Sequence, residues 1–192
     1  MKVNGCGQAS ILSPDELNQL LDFAPCSRSR ALYSVMRWTG SRISESLQLT
    51  WGAVQDSSLI FLKRTTKTKT TREVLLHKRL IKELKAYREY WVVRYGKEPS
   101  SGDLLFPGRF SLRESLTRQW AHLAWRKSIK AAKLKPGTSC HTPRRSLATT
   151  MHDKGIGLKT IAAYTGHTST DQLCTYIDVG LLAKTKALEA LD

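Results

Sequence analysis

The stretch from Ser58 to Leu76, SLIFLKRTTKTKTTREVLL, constrains the fold most, because it interrupts a chain that elsewhere shows helical spacing. Two short runs of apolar and β-branched residues flank a centre rich in threonine and lysine. This pattern predicts a β-hairpin or a piece of small sheet. We therefore expect a mainly helical α+β fold with a small three-stranded antiparallel sheet.

Signals for helix starts and stops precede this stretch. The segment LSPDELNQLL carries a capping box formed by Ser13 and Glu16. The segment RALYSVMRWTG should form a second helix that stops at Gly40. The next segment, SRISESLQL, begins with Ser41 as a cap, which puts Arg42 in the first turn of a third helix.

Helical spacing returns after the hairpin, from about residue 79 to 95. Ser111 and Glu114 then form a second capping-box pattern, which predicts the start of a long helix. That helix should bury one face, composed of Leu116, Trp120, Leu123 and Ala124. After His141, a Thr-Pro step predicts another helix start. Two more short helices should surround the last two tyrosines.

The balance of charge narrows the class of partner. The 192 residues include 31 Lys plus Arg and 16 Asp plus Glu, a formal charge of +15, and the pI is near 9.9. This excess favours a polyanion, with nucleic acid as the leading candidate. The alternative is a solvated basic surface with no ligand, which would incur self-repulsion without a compensating interaction.

Cysteine usage and the N-terminus bear on the compartment. The four cysteines form no CxxC pair and have no spacing typical of a metal site or a disulfide framework. The N-terminal residues lack the apolar region of a signal peptide, and no apolar run reaches the length of a membrane span. We therefore expect a cytoplasmic protein.

A set of polar residues stands at chemically useful positions, near helix starts, turns and the C-terminus. They are Arg42, Lys67, His141, Arg144, His167 and Tyr176. No carboxylate cluster accompanies them, although metal-dependent phosphoryl transfer normally uses Asp or Glu to hold its cations. A phosphodiester can instead be attacked without a metal, if permanent cations meet the charge that builds on its oxygens. Arginine suits that role, because its planar fork binds two phosphate oxygens and keeps its proton.

The remaining groups fit the rest of such a reaction. A tyrosine hydroxyl becomes a nucleophile when neighbouring cations favour its phenolate, and histidines can move its proton. A lysine on a hairpin can protonate the departing deoxyribose oxygen. Each residue alone has a plainer interpretation: an arginine that pairs with a helix end, a histidine in a cap or turn, or a tyrosine in the core.

Three segments, TGSRISESLQL, HTPRRSLAT and YTGHTSTDQLCTY, resemble in order and spacing the three signature boxes of the tyrosine recombinase, or phage integrase, family. The resemblance covers about residues 12 to 180. It implies that Arg42 and Arg144 are catalytic arginines, with Glu45 supporting the first of them. It also implies that Tyr176 is the nucleophile. The histidines His141 and His167 match the family's two further catalytic positions, of which His167 would hydrogen-bond the phosphate.

The general acid in such an enzyme is a hairpin lysine, and here the chain offers alternatives. Lys67 is preferred, but Lys69 is two residues further on and faces the same side of an extended strand. The expected DNA-binding residues are Lys63, Arg64, Lys69, Arg72 and Arg145. The second box departs from the family pattern at Pro143 and Arg145, where leucine and histidine are common.

The resemblance implies a site-specific recombinase that cleaves and rejoins double-stranded DNA through a 3′-phosphotyrosine, without metal or nucleotide cofactor. Four protomers would assemble on two sites, with helper proteins as further partners. We expect residues 1–192 to form one catalytic domain without a separate N-terminal core-binding domain. Two alternatives stay open: relaxation of DNA by a type IB topoisomerase, and a silent DNA-binding regulator.

Overall fold

A computed structural model describes residues 8–66 and 69–177, together with positions 185, 188 and 189. The described residues form eight α-helices and one small sheet. The helices are α1 (Pro14–Asp22), α2 (Ser27–Thr39), α3 (Ile43–Leu47), α4 (Lys78–Tyr95), α5 (Arg118–Ala131), α6 (Thr142–Asp153), α7 (Leu158–Thr165) and α8 (Thr170–Cys174). The strands are β1 (Ser58–Phe61) and β2 (Arg72–Leu75). The mainly helical α+β prediction is confirmed.

The first two helices begin and end as their local signals predict. The Ser13 hydroxyl accepts a hydrogen bond from the Glu16 N–H, and the Glu16 carboxylate accepts one from the Ser13 N–H. Helix α2 ends at Gly40, which has φ 62° and donates its N–H to the Met36 carbonyl. A left-handed glycine at this position exposes the last carbonyls of α2 to other partners.

Helix α3 begins one residue later than expected. Arg42, rather than Ser41, is its N-cap, and the Arg42 N–H donates to the Glu45 carboxylate at 3.1 Å. The Ser41 hydroxyl lies instead in a buried cluster with the hydroxyls of Thr39 and Ser46, at 2.9 and 2.7 Å. This cluster uses the serine in packing, so its capping role is lost.

The sheet among the described residues has two antiparallel strands, so the prediction of three was wrong. The register pairs Leu59 with Val74 and Phe61 with Arg72. The segment before β1 forms a 3-10 turn, Trp51–Ala53, and meets the strand at one isolated bridge, between Val54 and Leu59. A tight turn so close to β1 leaves no length for a third ladder.

Helix α5 begins later than the capping-box pattern indicates. Thr117 is its N-cap, and its hydroxyl accepts from the Trp120 N–H at 3.1 Å. The residues before it are held in a bridge, because the Gly108 N–H bonds the Glu114 carbonyl at 2.6 Å. Leu123, expected to be buried, is 54% exposed. The expected burial of Leu116 and Ala124 is confirmed.

Two apolar clusters organise the interior. The larger is built on α1, α2, α4 and α5 and includes Tyr33, Trp91 and Trp125. The smaller has Ala148, Ile161, Ala162 and Leu173 at its centre, contributed by α6, α7 and α8. Helix α6 packs against both α2 and α7. Its N-terminal half therefore lies where the two clusters meet, and this junction holds the candidate site.

Gly40 offers a test of how tightly the junction is packed. A Cβ on Gly40 would lie 3.0 Å from the Thr165 Cγ2 and 3.1 Å from the Leu147 Cδ2. Gly96 is a matched control, because its backbone is nearly the same (φ 68°, ψ 16°) and nothing lies within 4 Å. We expect Gly96→Ala to lower the free energy of unfolding by about 1–2 kcal/mol through backbone strain alone. Gly40→Ala should cost clearly more in the same urea titration. Equal losses in the free energy of unfolding would mean that the side chains around Gly40 can move aside at little cost.

Candidate active site

Arg144, near the start of α6, is the most deeply buried charged group of the site, at 1% exposure. Its Nη1 donates to the carbonyls of Gly40 and Thr165 at 2.7 and 2.6 Å. Its Nε donates to the Nε2 of His167 at 3.2 Å. The Nη2 is also buried and has no hydrogen-bond acceptor among the described residues. Three acceptors thus fix the plane of the guanidinium, while one nitrogen keeps its donors unused.

The second cationic element is built around a buried carboxylate, Glu45. Its Oε1 lies 2.8 Å from the Arg42 Nη1, and its Oε2 lies 3.6 Å from the Arg72 Nη2. Arg72 also donates to the Tyr164 carbonyl at 2.6 Å, and its guanidinium lies 4.5 Å from the centre of the Phe61 ring. One carboxylate therefore positions two arginines from different elements.

The positive charges of the three arginines repel one another, and this repulsion contributes to the lower pKa values of Arg72 and Arg144. Burial, followed by the positive charge of Arg42, lowers the pKa of Arg144 to about 9. Burial also lowers the pKa of Arg72 to about 10, with Glu45 opposing this effect. Both side chains remain charged at neutral pH. The site is therefore strongly electropositive, and an anion would relieve the repulsion between its cations.

His167 follows the left-handed Gly166 that ends α7. Its Nε2 accepts from Arg144, so the ring proton of the neutral form is on Nδ1, which donates to the Thr165 hydroxyl at 2.6 Å. That hydroxyl in turn donates to the Ile161 carbonyl at 2.6 Å. Burial, followed by the charges of the nearby arginines, lowers the pKa of His167 to about 3. The imidazole is therefore neutral and orients Arg144.

Tyr176 lies two residues beyond the end of α8 and is half-buried. Its ring centre is 4.7 Å from that of His167 and 5.5 Å from the guanidinium carbon of Arg144. The last two of the three sequence boxes thus meet at this tyrosine.

His141 is the exposed N-cap of α6. It lines a pocket of about 270 Å³ together with Tyr176, Arg145 and the N-terminal residues Gln8 and Ala9. The pocket opens to solvent beside the tyrosine. His141 and Tyr176 therefore share one accessible cavity, while Arg144 and His167 lie against the Tyr176 ring.

The described residues include some of the hairpin lysines and not others. Lys67, the preferred general acid, lies outside the described residues. Lys69 is exposed and has a left-handed backbone, with φ 52°. Lys63 and Arg64 are exposed on the same turn, as DNA-binding residues should be. The described part of the turn therefore presents a row of cations at the surface.

Two of the expected DNA-binding residues occupy other surroundings. The Arg72 side chain, 9% exposed, lies between Glu45 and the Tyr164 carbonyl, where it belongs to the cationic site itself. Arg145 is 7% exposed and donates to the carbonyls of Ala9 and Tyr176. Neither guanidinium is displayed on the protein surface.

Sequence reasoning missed two members of the site. The role of Arg72 in the site depends on its pairing with Phe61 in the sheet, and this pairing can be known only when the strand register is known. The role of Thr165 could have been found from its position two residues before His167, across a glycine that reverses the chain. Both act by orienting charged or basic side chains.

Comparison with known proteins assigns the family. Residues 10–180 match the model of the phage integrase family, and the chain belongs to this family. It is 30% identical over 178 residues to tyrosine recombinase XerD of Corynebacterium glutamicum, covering 86% of this chain and 56% of the relative. It is 28% identical over 172 residues to a tyrosine recombinase of Pseudothermotoga lettingae, covering 88% and 56%. The chain thus spans little more than half the length of these curated relatives.

Solved structures share the fold. XerA recombinase superposes with a TM-score of 0.77 at 21% identity, over 96% of this chain and 66% of that one. XerH recombinase, in a pre-cleavage complex with its difH substrate, gives 0.74 at 20% identity, over 99% and 56%. No helix of the described residues is long and apolar enough to cross a membrane.

The lowered pKa of His167 predicts a pH-dependent stability. Between about pH 3 and its ordinary value of 6.5, the unfolded chain binds a proton at this histidine that the folded chain does not. Its contribution to stability is therefore complete above pH 6.5 and is lost as the pH falls, by up to about 1.4 kcal/mol per pH unit. His167→Gln keeps a polar side chain without a titrating group. Urea titrations between pH 7.5 and 5 should show a shallower decline for His167→Gln, whereas parallel declines would contradict the shift.

Proposed function

We propose that the chain cleaves and rejoins DNA strands as the catalytic domain of a site-specific recombinase. The observation that carries the proposal is the packing of the Tyr176 ring against Arg144 and His167, beside a pocket that also holds His141. A phenol next to a fixed cation and an accessible cavity is suited to attack on a phosphodiester.

In the proposed reaction the scissile phosphate binds between Arg42 and Arg144. The Tyr176 oxygen attacks phosphorus and forms a phosphotyrosine bond with the 3′ end, while the bond from phosphorus to the 5′ oxygen breaks. The proton of the tyrosine passes to His141, and Lys67 protonates the departing oxygen. The arginines meet the charge on the non-bridging oxygens, so the reaction needs no metal. The free 5′-hydroxyl of a second duplex then reverses the step.

His167 has a role in this proposal that differs from its expected one. In the described geometry its Nε2 accepts from Arg144 and so has no proton to give to a phosphate. Burial is the main cause of the low His167 pKa, and the arginine charges add to it, so a bound phosphate would offset only the smaller effect. His167 therefore acts in this proposal by orienting Arg144 toward the phosphate.

The proposed partner is double-stranded DNA, bound through its backbone by the exposed cations Lys63, Arg64 and Lys69. A formal charge of +15 supports this choice. Residues 1–192 act as one domain in the cytoplasm, and four copies assemble on two DNA sites with DNA-bending or directionality helpers. The structure of the Tn1549 transposon integrase, which shares the fold, is a complex with a circular intermediate DNA, which supports the choice of DNA.

Two other functions would use the same site differently. A type IB topoisomerase would reseal the same strand, and relaxation of a plasmid by a single protomer would favour it. A silent regulator would bind DNA without forming a covalent bond. The joint burial of Glu45 and Arg144 supports an enzyme, because buried charged groups are costly to fold and are concentrated at active sites.

The nucleophile is tested by removing one oxygen. Tyr176→Phe should abolish the covalent protein–DNA adduct and leave DNA affinity nearly unchanged, because only the attacking atom is lost. Tyr164→Phe is the matched control, since the Tyr164 hydroxyl lies 2.9 Å from the Trp38 carbonyl, away from the Tyr176 pocket. It should form the adduct. Denaturing gels of nicked suicide substrates give the measurement, and an adduct that survives Tyr176→Phe would refute the assignment.

The general acid is tested by changing the leaving group. Lys67→Ala should slow cleavage strongly on ordinary DNA and recover with a 5′-phosphorothiolate, whose sulfur leaves without needing a proton. Lys69→Ala should mainly weaken binding and show no such rescue. Single-turnover cleavage rates on both substrates make the comparison. Rescue of Lys69→Ala alone would move the role to Lys69.

A further inference from the structure

Arg145 joins two parts of the chain that are distant in sequence. From the first turn of α6 its guanidinium donates through Nη1 to the Ala9 carbonyl and through Nε, at 3.3 Å, to the Tyr176 carbonyl. Its side chain is buried, at 7% exposure of the residue. A planar fork with donors on separate nitrogens can hold two carbonyls at once, whereas a lysine offers one point of charge.

Tyr176 needs such support because regular structure ends before it. Helix α8 stops at Cys174, and the described backbone bond of Tyr176 is from its N–H to the Leu173 carbonyl, at 2.8 Å. Its own carbonyl is reached by Arg145 and, at 3.5 Å, by the hydroxyl of Thr149, one turn further along α6. The backbone that carries the tyrosine is thus held from the side by α6.

The other partner of Arg145 belongs to the N-terminal segment, residues 8–12. This segment is fastened next to the start of α6 at several points. The Ser10 N–H and hydroxyl donate to the carbonyls of Gly137 and Pro136, at 2.9 and 3.0 Å. The Ser10 carbonyl accepts from the Thr142 hydroxyl at 2.9 Å, and the Leu12 N–H donates to the Ser146 hydroxyl at 3.0 Å. A displacement of this segment therefore reaches Arg145 directly.

We propose that Arg145 is a positioning residue that clamps the Tyr176 backbone to the N-terminal segment, so that the placement of that segment controls the placement of the nucleophile. The contacts that form the clamp are inferred from the geometry alone. Its effect on cleavage rests on the proposed function. Arg145 acts through the tyrosine's carbonyl, whereas Arg144, its neighbour, lies against the tyrosine's ring. Whatever chain or partner pulls on residues 8–12 would thereby gain influence over cleavage.

The clamp is tested by amide hydrogen exchange, which reports local opening without any need for activity. Arg145→Gln should speed exchange about tenfold or more in residues 173–177, because a buried hydrogen bond to a charged donor is lost there. Arg37→Gln is the matched control. Arg37 is similarly buried, at 6%, and donates to the Pro14 carbonyl and the Asn18 amide, without contact to Tyr176. Arg37→Gln should lower the stability of the protein. The ratio of amide exchange in residues 173–177 to exchange in the core should nevertheless stay at its wild-type value.

A double-mutant cycle tests the coupling itself. Ser10→Pro removes both the N–H and the hydroxyl that fasten the N-terminal segment. In the wild-type background it should also speed exchange in residues 173–177, and in the Arg145→Gln background it should add little there. Arg145→Lys keeps the charge but replaces the fixed planar fork with one nitrogen on a flexible stem, so it should restore little of the protection. If Arg145→Gln does not fold, the same test can be made by comparing amide exchange in residues 173–177 between Ser10→Pro and Arg37→Gln. The clamp predicts faster exchange there for Ser10→Pro alone.

Cleavage provides the second readout. Arg145→Gln should slow adduct formation about tenfold or more while the DNA dissociation constant changes less than about threefold, since the clamp positions the nucleophile and does not bind phosphate. Unchanged exchange in residues 173–177, or an equal effect of Arg37→Gln, would overturn the clamp. So would wild-type behaviour of Arg145→Lys in both assays. A wild-type protein that forms no adduct would instead refute the proposed function, and the exchange result would stand independently.

Discussion

The guanidinium of Arg144 is the interaction on which the rest of the site depends. Burying a cation costs several kcal/mol unless polar groups replace its water. Here the replacement comes from backbone carbonyls at the C-terminal ends of α2 and α7, contributed by Gly40 and Thr165. Helix C-termini carry partial negative charge and unpaired carbonyls. Two left-handed glycines, Gly40 and Gly166, end these helices so that their carbonyls remain available.

The same arrangement explains why the functional residues come together. Helix α6 supplies Arg144, and the turn after α7 supplies His167, which accepts from that arginine. Tyr176 then packs on both. The order of the three boxes along the chain thus becomes a layered site, with the arginine beneath and the tyrosine near the open pocket.

Much of the local structure follows from signals that act within four residues. The Ser13 and Glu16 capping box and the Gly40 stop are of this kind, and both have the predicted form. The similar pattern at Ser111 and Glu114 misleads, because the Glu114 carbonyl is engaged by Gly108 in a bridge that forms only in the folded chain. Leu123 is exposed for a related reason. Periodicity predicts which face of α5 is apolar, but tertiary packing determines how much of that face is buried.

The site shows the same division between local and long-range information. The residue types at Arg144, His167 and Tyr176 can be read from the three boxes, and they do lie together. The burial of Arg72 and Arg145 cannot be read in this way, because a basic residue in a hairpin or on a helix is usually solvated. Their surroundings depend on the register of β1 with β2 and on the path of the N-terminal segment. Only the assembled chain specifies both.

Electrostatics connects the stability of the fold to its proposed chemistry. Glu45 pairs with Arg42 and Arg72, and its negative charge also acts on Arg144, so one carboxylate faces three cations and repulsion remains among them. Burial, followed by these positive charges, lowers the pKa of His167 and keeps its Nε2 an acceptor for Arg144. In the proposed function, an incoming phosphate would lower the energy of all three arginines. The charge of the substrate would thus complement a site whose unliganded state is held together by backbone carbonyls and a single glutamate.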